Sequence, residues 1–207
     1  LMRAALRAAH DAGVEFRGQI PVQQIRPTDG QIEVLAGNDR FLARSAINCQ
    51  GAWSGAPVRP RKGQMLYLEP QQTGLLNRVL RTPEVYLVPR SSGRILVGAT
   101  VEDVGFDKTV ERQVIQHLHQ SAAGFIPQLA SAPVVSSWAG LRPGTPDDLP
   151  ILGQTETPGV LIASGHFRNG ILLAPITARI MADLVSGQLP EIDISAFSPA
   201  RFTNVIT

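Results

Sequence analysis

The chain has 207 residues, 43% of them hydrophobic and 17% charged, which excludes a disordered polypeptide and leaves room for one sizeable core or parts of two domains. Its 19 basic and 17 acidic side chains leave a net charge of +2, and the single dense basic cluster, Arg59-Pro60-Arg61-Lys62, is too small for a nucleic-acid surface. No apolar run reaches the roughly 18 residues of a membrane span and no targeting signal opens the chain, so a soluble cytoplasmic protein is expected.

In chain order, residues 1–13 have the spacing of an amphipathic helix ending at Gly13, and Leu1 in place of an initiating methionine reads as a fragment of a longer protein. Strands are predicted at Val14–Phe16, Val22–Ile25, Ile32–Leu35 and Phe41–Asn48, the last three joined as antiparallel hairpins by Asp29-Gly30 and Gly37-Asn38-Asp39. "AINCQGAWSG" is a strand, Ala46–Cys49, running into a small-residue turn through Gly51, Trp53, Ser54 and Gly55, where a ligand can approach the backbone closely. A second group of strands, Gln64–Leu68, Val85–Val88, Arg94–Gly98 and Val134–Leu141, makes a larger sheet. Between its third and fourth members Thr109 caps a helix with Val110, Val114, Ile115, Leu118 and Ala122 on one face.

"RPGTPDDLPILG" is read as a proline-rich turn, Val160–Ala163 as a buried strand, and Ile171–Val185 as a buried helix ending at Gly187. A helix begun at Gly170 would place Pro175 where an N–H should bond the Ile171 carbonyl, so that helix either starts later or bends. The remaining tail is read as a loosely packed extension.

Few residues offer acid–base or metal chemistry. The one cysteine, Cys49, cannot form an internal disulfide or a thiolate metal site, and His10, His117, His119 and His166 lack ligand spacing, so no metal site is expected. Cys49 is read as a small buried residue. Arg168, at a strand-to-helix turn, opposes the positive end of the helix field unless an anion lies there. A solvated turn arginine is the alternative. Arg142 ends an apolar strand and is either an anion-binding fork or the structural partner of Asp147 or Asp148. Tyr86, in a strand, is by itself half-buried packing.

Four stretches, "CQGAWSG", "VYLVPRSSGRILVGAT", "WAGLRPGTPDDLPILG" and "GHFRNGILLAP", together resemble the glycine oxidase branch of the D-amino-acid oxidase family of flavoproteins. "GVEFRGQIPVQQI" is similar to the family segment at the adenine end of FAD. The glycine-rich fingerprint G-x-G-x-x-G that holds the FAD pyrophosphate in this family does not occur in the 207 residues. The resemblance therefore implies the C-terminal part of an enzyme, inactive by itself, with a missing N-terminal FAD-binding part as its partner.

The fold class it implies is α+β or α/β. A large mixed, mainly antiparallel sheet with helices on one side forms a substrate domain, over residues 59–149. Residues 1–58 and 150–190 are returning segments of a Rossmann-like FAD domain, and residues 191–207 are a C-terminal tail. A homo-oligomer is also expected.

The resemblance further implies that Val22, Gly51, Trp53 and the stretch His166, Phe167, Arg168, Asn169, Gly170, Ile171 and Leu172 contact FAD. Arg142, Arg168 and Tyr86 hold the carboxylate of a small amino-acid substrate. FAD is held non-covalently, since Ala139-Gly140-Leu141 stand where sarcosine oxidase relatives carry the flavin-linked cysteine before Thr145-Pro146-Asp147. The implied reaction passes a hydride from the α-carbon of glycine, or a related primary or secondary amino acid, to flavin N5. The imine then hydrolyses and dioxygen yields peroxide, with no protein acid or base required. Thiamine biosynthesis is the pathway the likeness suggests. Glu84 and Val101 depart from residues of a glycine oxidase pocket, a histidine and a methionine, so the amine is left open. The alternatives are a dehydrogenase with a non-oxygen acceptor and a non-catalytic amino-acid-binding module without flavin.

Overall fold

The computed structural model describes residues 1–55 and 57–202 and divides into two compact units, Leu1–Ile47 with Gln154–Leu161, and Asn48–Gly153 with Ile162 onward. In the first unit a helix, α1 (Met2–Asp11), precedes three strands, β1 (Val22–Thr28), β2 (Gln31–Ala36) and β3 (Asp39–Ala43), paired as an antiparallel meander. The Asp29-Gly30 and Gly37-Asn38 turns fall where the sequence places them. Glu33 on β2 is buried and receives both Arg26 of β1, its cross-strand partner, and Arg40 of β3, and these guanidiniums hold its carboxyl below the usual range. Val14–Phe16 is not a strand. No strand pairs with it; the Val14 N–H donates back to the Ala9 carbonyl of α1 at 3.0 Å, and the exposed Arg17 Nε bonds Glu15 at 2.6 Å.

The second unit is built on a five-stranded antiparallel sheet. Its strands are β5 (Arg59–Leu68), β6 (Leu80–Arg81), β7 (Tyr86–Pro89), β8 (Ile95–Gly98) and β9 (Val134–Gly144), in the order β6-β7-β8-β5-β9. Side chains alternate faces along a strand. One face is apolar: Leu87, Val97 and Leu66 are adjacent in register and each is fully buried. Helix α2 (Arg112–Phe125) and the short turn Pro127–Ser131 cover this face with Leu118, Ala122 and Leu129. Helices thus lie on one side of an antiparallel sheet, as expected. Helix α2 starts later than the sequence reading, with Glu111 at its N-cap; the Thr109 N–H instead bonds the Asp107 carboxylate at 2.8 Å and Val110 precedes the helix.

The α2 face also carries a charged end. Lys62 is fully buried and lies 3.3 Å from both Glu102 and Asp107 and 3.2 Å from Glu111, so the cation is surrounded by three carboxylates at the start of α2.

Three further strands, β4 (Ala46–Asn48), β10 (Ile151–Gln154) and β11 (Val160–Ser164), form a sheet in the order β10-β11-β4. β4 is separate from β3, so Phe41–Asn48 is two strands rather than one, and β10 begins within the stretch read as a turn. Helix α3 spans Gly170–Val185 and contains Pro175, which excludes the later start. The tail is anchored more firmly than expected: Arg201 binds Asp147 at 2.8 Å and donates to the Leu149 carbonyl at 2.9 Å. Residues 203–207 of the predicted tail lie outside the described residues.

Candidate active site

The sheet face opposite α2 carries the site. Pairing of Arg61 with Arg142, Met65 with Trp138, and Met65 and Tyr86 with Gly98 puts Arg142 and Tyr86 on this face by simple alternation. Two glycines make room for them. An alanine Cβ at Gly63 would stand 2.1 Å from Arg142 Nη1 and 2.3 Å from Nη2, and one at Gly98 would stand 2.6 Å from both Cζ and the hydroxyl oxygen of Tyr86. The Arg142 fork therefore lies over bare backbone at Gly63, with Nη1 donating to the Thr100 carbonyl at 3.0 Å. Burial, the largest effect, holds the guanidinium below its ordinary pKa, Arg168 adds to the depression, and the Tyr86 phenol opposes it. Arg142 pairs with neither Asp147 nor Asp148 in any ion pair among the described residues; Asp147 is taken by Arg201.

The turn after β11 is brought to the same place by backbone. The Phe167 N–H donates to the Pro143 carbonyl at 2.9 Å, tying the turn to the residue after Arg142. Phe167 has a φ of +48°, a left-handed conformation costing a non-glycine residue about 1–3 kcal/mol and found mainly where a site demands it. Arg168 is exposed, 5.4 Å above the Phe167 ring, with no ion pair among the described residues. Asn169 is the N-cap of α3 but its side chain makes no cap bond, and Ile171 and Leu172 are 76% and 77% exposed. His166 Nε2 lies 2.9 Å from Thr177 Oγ1, and burial lowers the histidine pKa, keeping the ring neutral near pH 7.

Tyr86, Arg142, Phe167, Arg168, Asn169, Gly170 and Ile171 line one cavity of about 690 Å³, completed by Arg81 and Asp148. Leu172, His166, Gly51 and Trp53 belong to the same unit but not to the cavity wall, and Val22 lies on β1 of the other unit. Gly51 opens a short turn, Gly51–Trp53, and its carbonyl accepts the Ser164 hydroxyl at 3.0 Å; Trp53 is 58% exposed and tilts against Phe106 at 5.5 Å. Glu84 and Val101 do not line the cavity. Cys49 is exposed, a correction to the buried reading, although the atoms around it push its thiol above the ordinary value.

Sequence reasoning passed over Gly63, Gly98, Thr100 and Arg81, and met Asp148 only as a possible partner of Arg142. Glycine inside a strand was an available signal of close approach for the first two; the others carried none.

Residues 1–184 match the family of FAD dependent oxidoreductases designated DAO. The chain belongs to that family. It is 42% identical over 209 residues to the bifunctional protein ThiO/ThiG of Nostoc, covering 97% of this chain and 32% of that protein. It is 37% identical over 210 residues to a glycine oxidase of Pseudomonas aeruginosa, covering 96% of this chain and 57% of the relative. The crystal structure of glycine oxidase from Geobacillus kaustophilus superposes with a TM-score of 0.90 at 34% identity, over 96% of this chain and 56% of that one. The chain thus spans a third to just over half the length of these relatives.

The residues present fit the family's FAD. The start of α3 offers the unpaired backbone N–H groups of a helix N-terminus with no capping side chain, beside two exposed apolar residues, which suits an aromatic ring with an anionic edge. Ser54 Oγ, three residues after Gly51, is buried without a hydrogen-bond partner among the described residues, a polar group whose burial calls for one.

Proposed function

We propose that this chain forms the substrate-binding part of an FAD-dependent oxidoreductase that oxidises glycine or a related small primary or secondary amino acid. The observation that carries the reading is the convergence of Tyr86, Arg142 and Arg168 on one cavity beside the start of α3. A guanidinium fork fixed over Gly63 and oriented by the Thr100 carbonyl binds a carboxylate through parallel charge-assisted bonds, and the Tyr86 hydroxyl adds a further donor. Arg168, stacked on the Phe167 ring and without an ion pair among the described residues, can close on the same group. The carboxylate is held and the amine-bearing carbon is turned toward the α3 N-terminus, where His166 to Leu172, with Gly51 and Trp53, hold the flavin.

FAD, when bound, supplies the two-electron acceptor. The chain's own residues bind, orient and exclude water, and no side chain in the cavity acts as a general base in this reading. FAD is held without a covalent bond. The glycine-rich pyrophosphate fingerprint of the family is not among residues 1–207, so these residues supply only part of the FAD contacts. Similarity to glycine oxidases supports the choice of substrate, and the amine oxidase reading of the four motifs agrees with it.

The test is oxygen uptake and peroxide formation on adding glycine, sarcosine or D-alanine to the FAD-loaded protein. Turnover of at least one, abolished or weakened by Arg142→Lys, is the expected result. Flavin reduction without peroxide would assign a non-oxygen acceptor. A protein that neither retains flavin nor turns over an amine would overturn the reading.

A further inference from the structure

The cavity is wider in charge than one carboxylate requires. Three guanidiniums, Arg81, Arg142 and Arg168, face it against a single carboxylate, Asp148. Arg81 is the one not used above. It ends the two-residue strand β6 and stands directly across from Tyr86 in the β6–β7 pairing, which places their Cβ atoms about 5 Å apart on one face. Some arginines outside the cavity are paired, Arg26 and Arg40 with Glu33, Arg94 with Glu69 and Arg201 with Asp147, while others such as Arg78 and Arg90 have no ion pair among the described residues; what sets Arg81 apart is that it lines the cavity. Among the described residues Arg81 has no ion pair and no side-chain hydrogen bond, and neither has the Asp148 side chain. Asp148 sits on the rim at a φ of +57°, in a turn pinned by the Thr145 hydroxyl bonds to Asp147 and Leu149.

We propose that Arg81 is a specificity-determining residue for a second carboxylate, and that the preferred substrates are short dicarboxylic amino acids whose ammonium group lies toward Asp148. This rests on the reading of Arg142 as the site of the first carboxylate. The charges match part by part. Two carboxylates meet Arg142 with Arg168 and Arg81, and one ammonium meets Asp148. A zwitterion with a single carboxylate leaves Arg81 unpaired beside two other cations. Electrostatic discrimination of this kind acts in a partly desolvated cavity, where an unmatched charge is costly and a matched one is selective.

Inert ligands separate the two levels of the proposal. Calorimetric titration of the FAD-loaded protein compares acetate with malonate, which differs by one added carboxylate. Malonate binds at least about tenfold more tightly, the effect of one charge-assisted contact. In Arg81→Gln the preference falls to near unity while acetate binds within about twofold of the unchanged protein. Arg90→Gln, a charge removed outside the cavity, leaves the preference intact. Arg142→Lys weakens both acids. The inference is overturned if the unchanged protein does not prefer malonate, if Arg81→Gln keeps the preference, or if Arg90→Gln removes it equally, which would make it a general field effect. If Arg142→Lys leaves both acids unaffected, the carboxylate site itself is wrong, and with it the inference.

Discussion

Replacing Gly63 by alanine should disable the substrate fork without touching a charged group. The φ of Gly63 lies outside the left-handed region, so alanine adds no backbone strain; the effect is steric. The new Cβ would meet Arg142 Nη1, Nη2 and Cζ at 2.1, 2.3 and 2.5 Å. Ordinary contact is about 3.5–4.0 Å, so the guanidinium must retreat by roughly 1.5 Å. A flexible arginine tip can do this, but the 3.0 Å bond to the Thr100 carbonyl cannot survive it. Losing one such bond costs about 1 kcal/mol of stability, a fall of about 2–4 °C in melting temperature for a chain of this size. Misplacing a bidentate, charge-assisted clamp costs about 1.5–3 kcal/mol of carboxylate binding, about 10- to 150-fold in affinity. Gly140, paired with Gly63 on β9, is the matched control because a Cβ there meets nothing within 4 Å. Acetate titration and thermal unfolding of the two alanine variants read both quantities. Gly63→Ala binding acetate within twofold of the unchanged protein, or Gly140→Ala losing as much, would refute the reasoning.

Arg142→Lys should raise the Michaelis constant of whichever amine is turned over by one to two orders of magnitude, from the same loss of about 1.5–3 kcal/mol, with flavin content unchanged; equal constants would remove Arg142 from the site. Acid precipitation of the yellow protein should release all its flavin, since Ala139-Gly140-Leu141 hold no cysteine and Cys49, the one cysteine of the 207 residues, has its thiol pKa raised; colour in the pellet would contradict this. Leu118→Ala, at a position 2% exposed between α2 and the sheet, should cost about 2–5 kcal/mol in urea unfolding, and a cost under about 1 kcal/mol would mean that α2 does not close this core. Asp147, held at about 2 chiefly by the Arg201 hydrogen bond, is depressed from 3.8, so its contribution is complete above about pH 4 and is lost as pH falls toward 2. The stability difference between the unchanged protein and Arg201→Ala should therefore shrink over that window, and a difference constant with pH would refute the pairing.

Much of this architecture is legible in residue order. The Val, Leu, Ile and Tyr content of Gln64–Leu68, Val85–Val88 and Arg94–Gly98 marked the sheet, and the period of Val114, Ile115, Leu118 and Ala122 marked the helix on it, because one face of that helix packs on the core. The turns at Asp29-Gly30 and Gly37-Asn38 were readable because they require left-handed backbone at Asp29, Gly30 and Gly37. Misreadings arose where tertiary partners decide. Val14–Phe16 has strand composition but no strand to pair with, and β10 begins directly after Pro150, where turn chemistry hid a strand end. Thr109 resembled a cap, yet Asp107 takes its N–H and the helix waits for Glu111.

For the site, the arginines and the tyrosine were visible as residue types set in family-like motifs. Their common cavity was not, because it is made by the Phe167 bond to Pro143 and by empty space at Gly63 and Gly98. Arg81 carried no signal at all, since its meaning lies in standing across from Tyr86.

The most direct measurement of the central claim is an anaerobic titration of the FAD-loaded protein with a small amino acid, followed by the visible flavin band. Saturable bleaching is expected with at least one of glycine, sarcosine and D-alanine. The half-saturating concentration should rise about 10- to 100-fold in Arg142→Lys while the bleaching at saturation is retained. A flavin band unmoved by every amine, or a titration curve identical in the lysine variant, would contradict the assignment of this cavity as the place where an amino acid is held for oxidation.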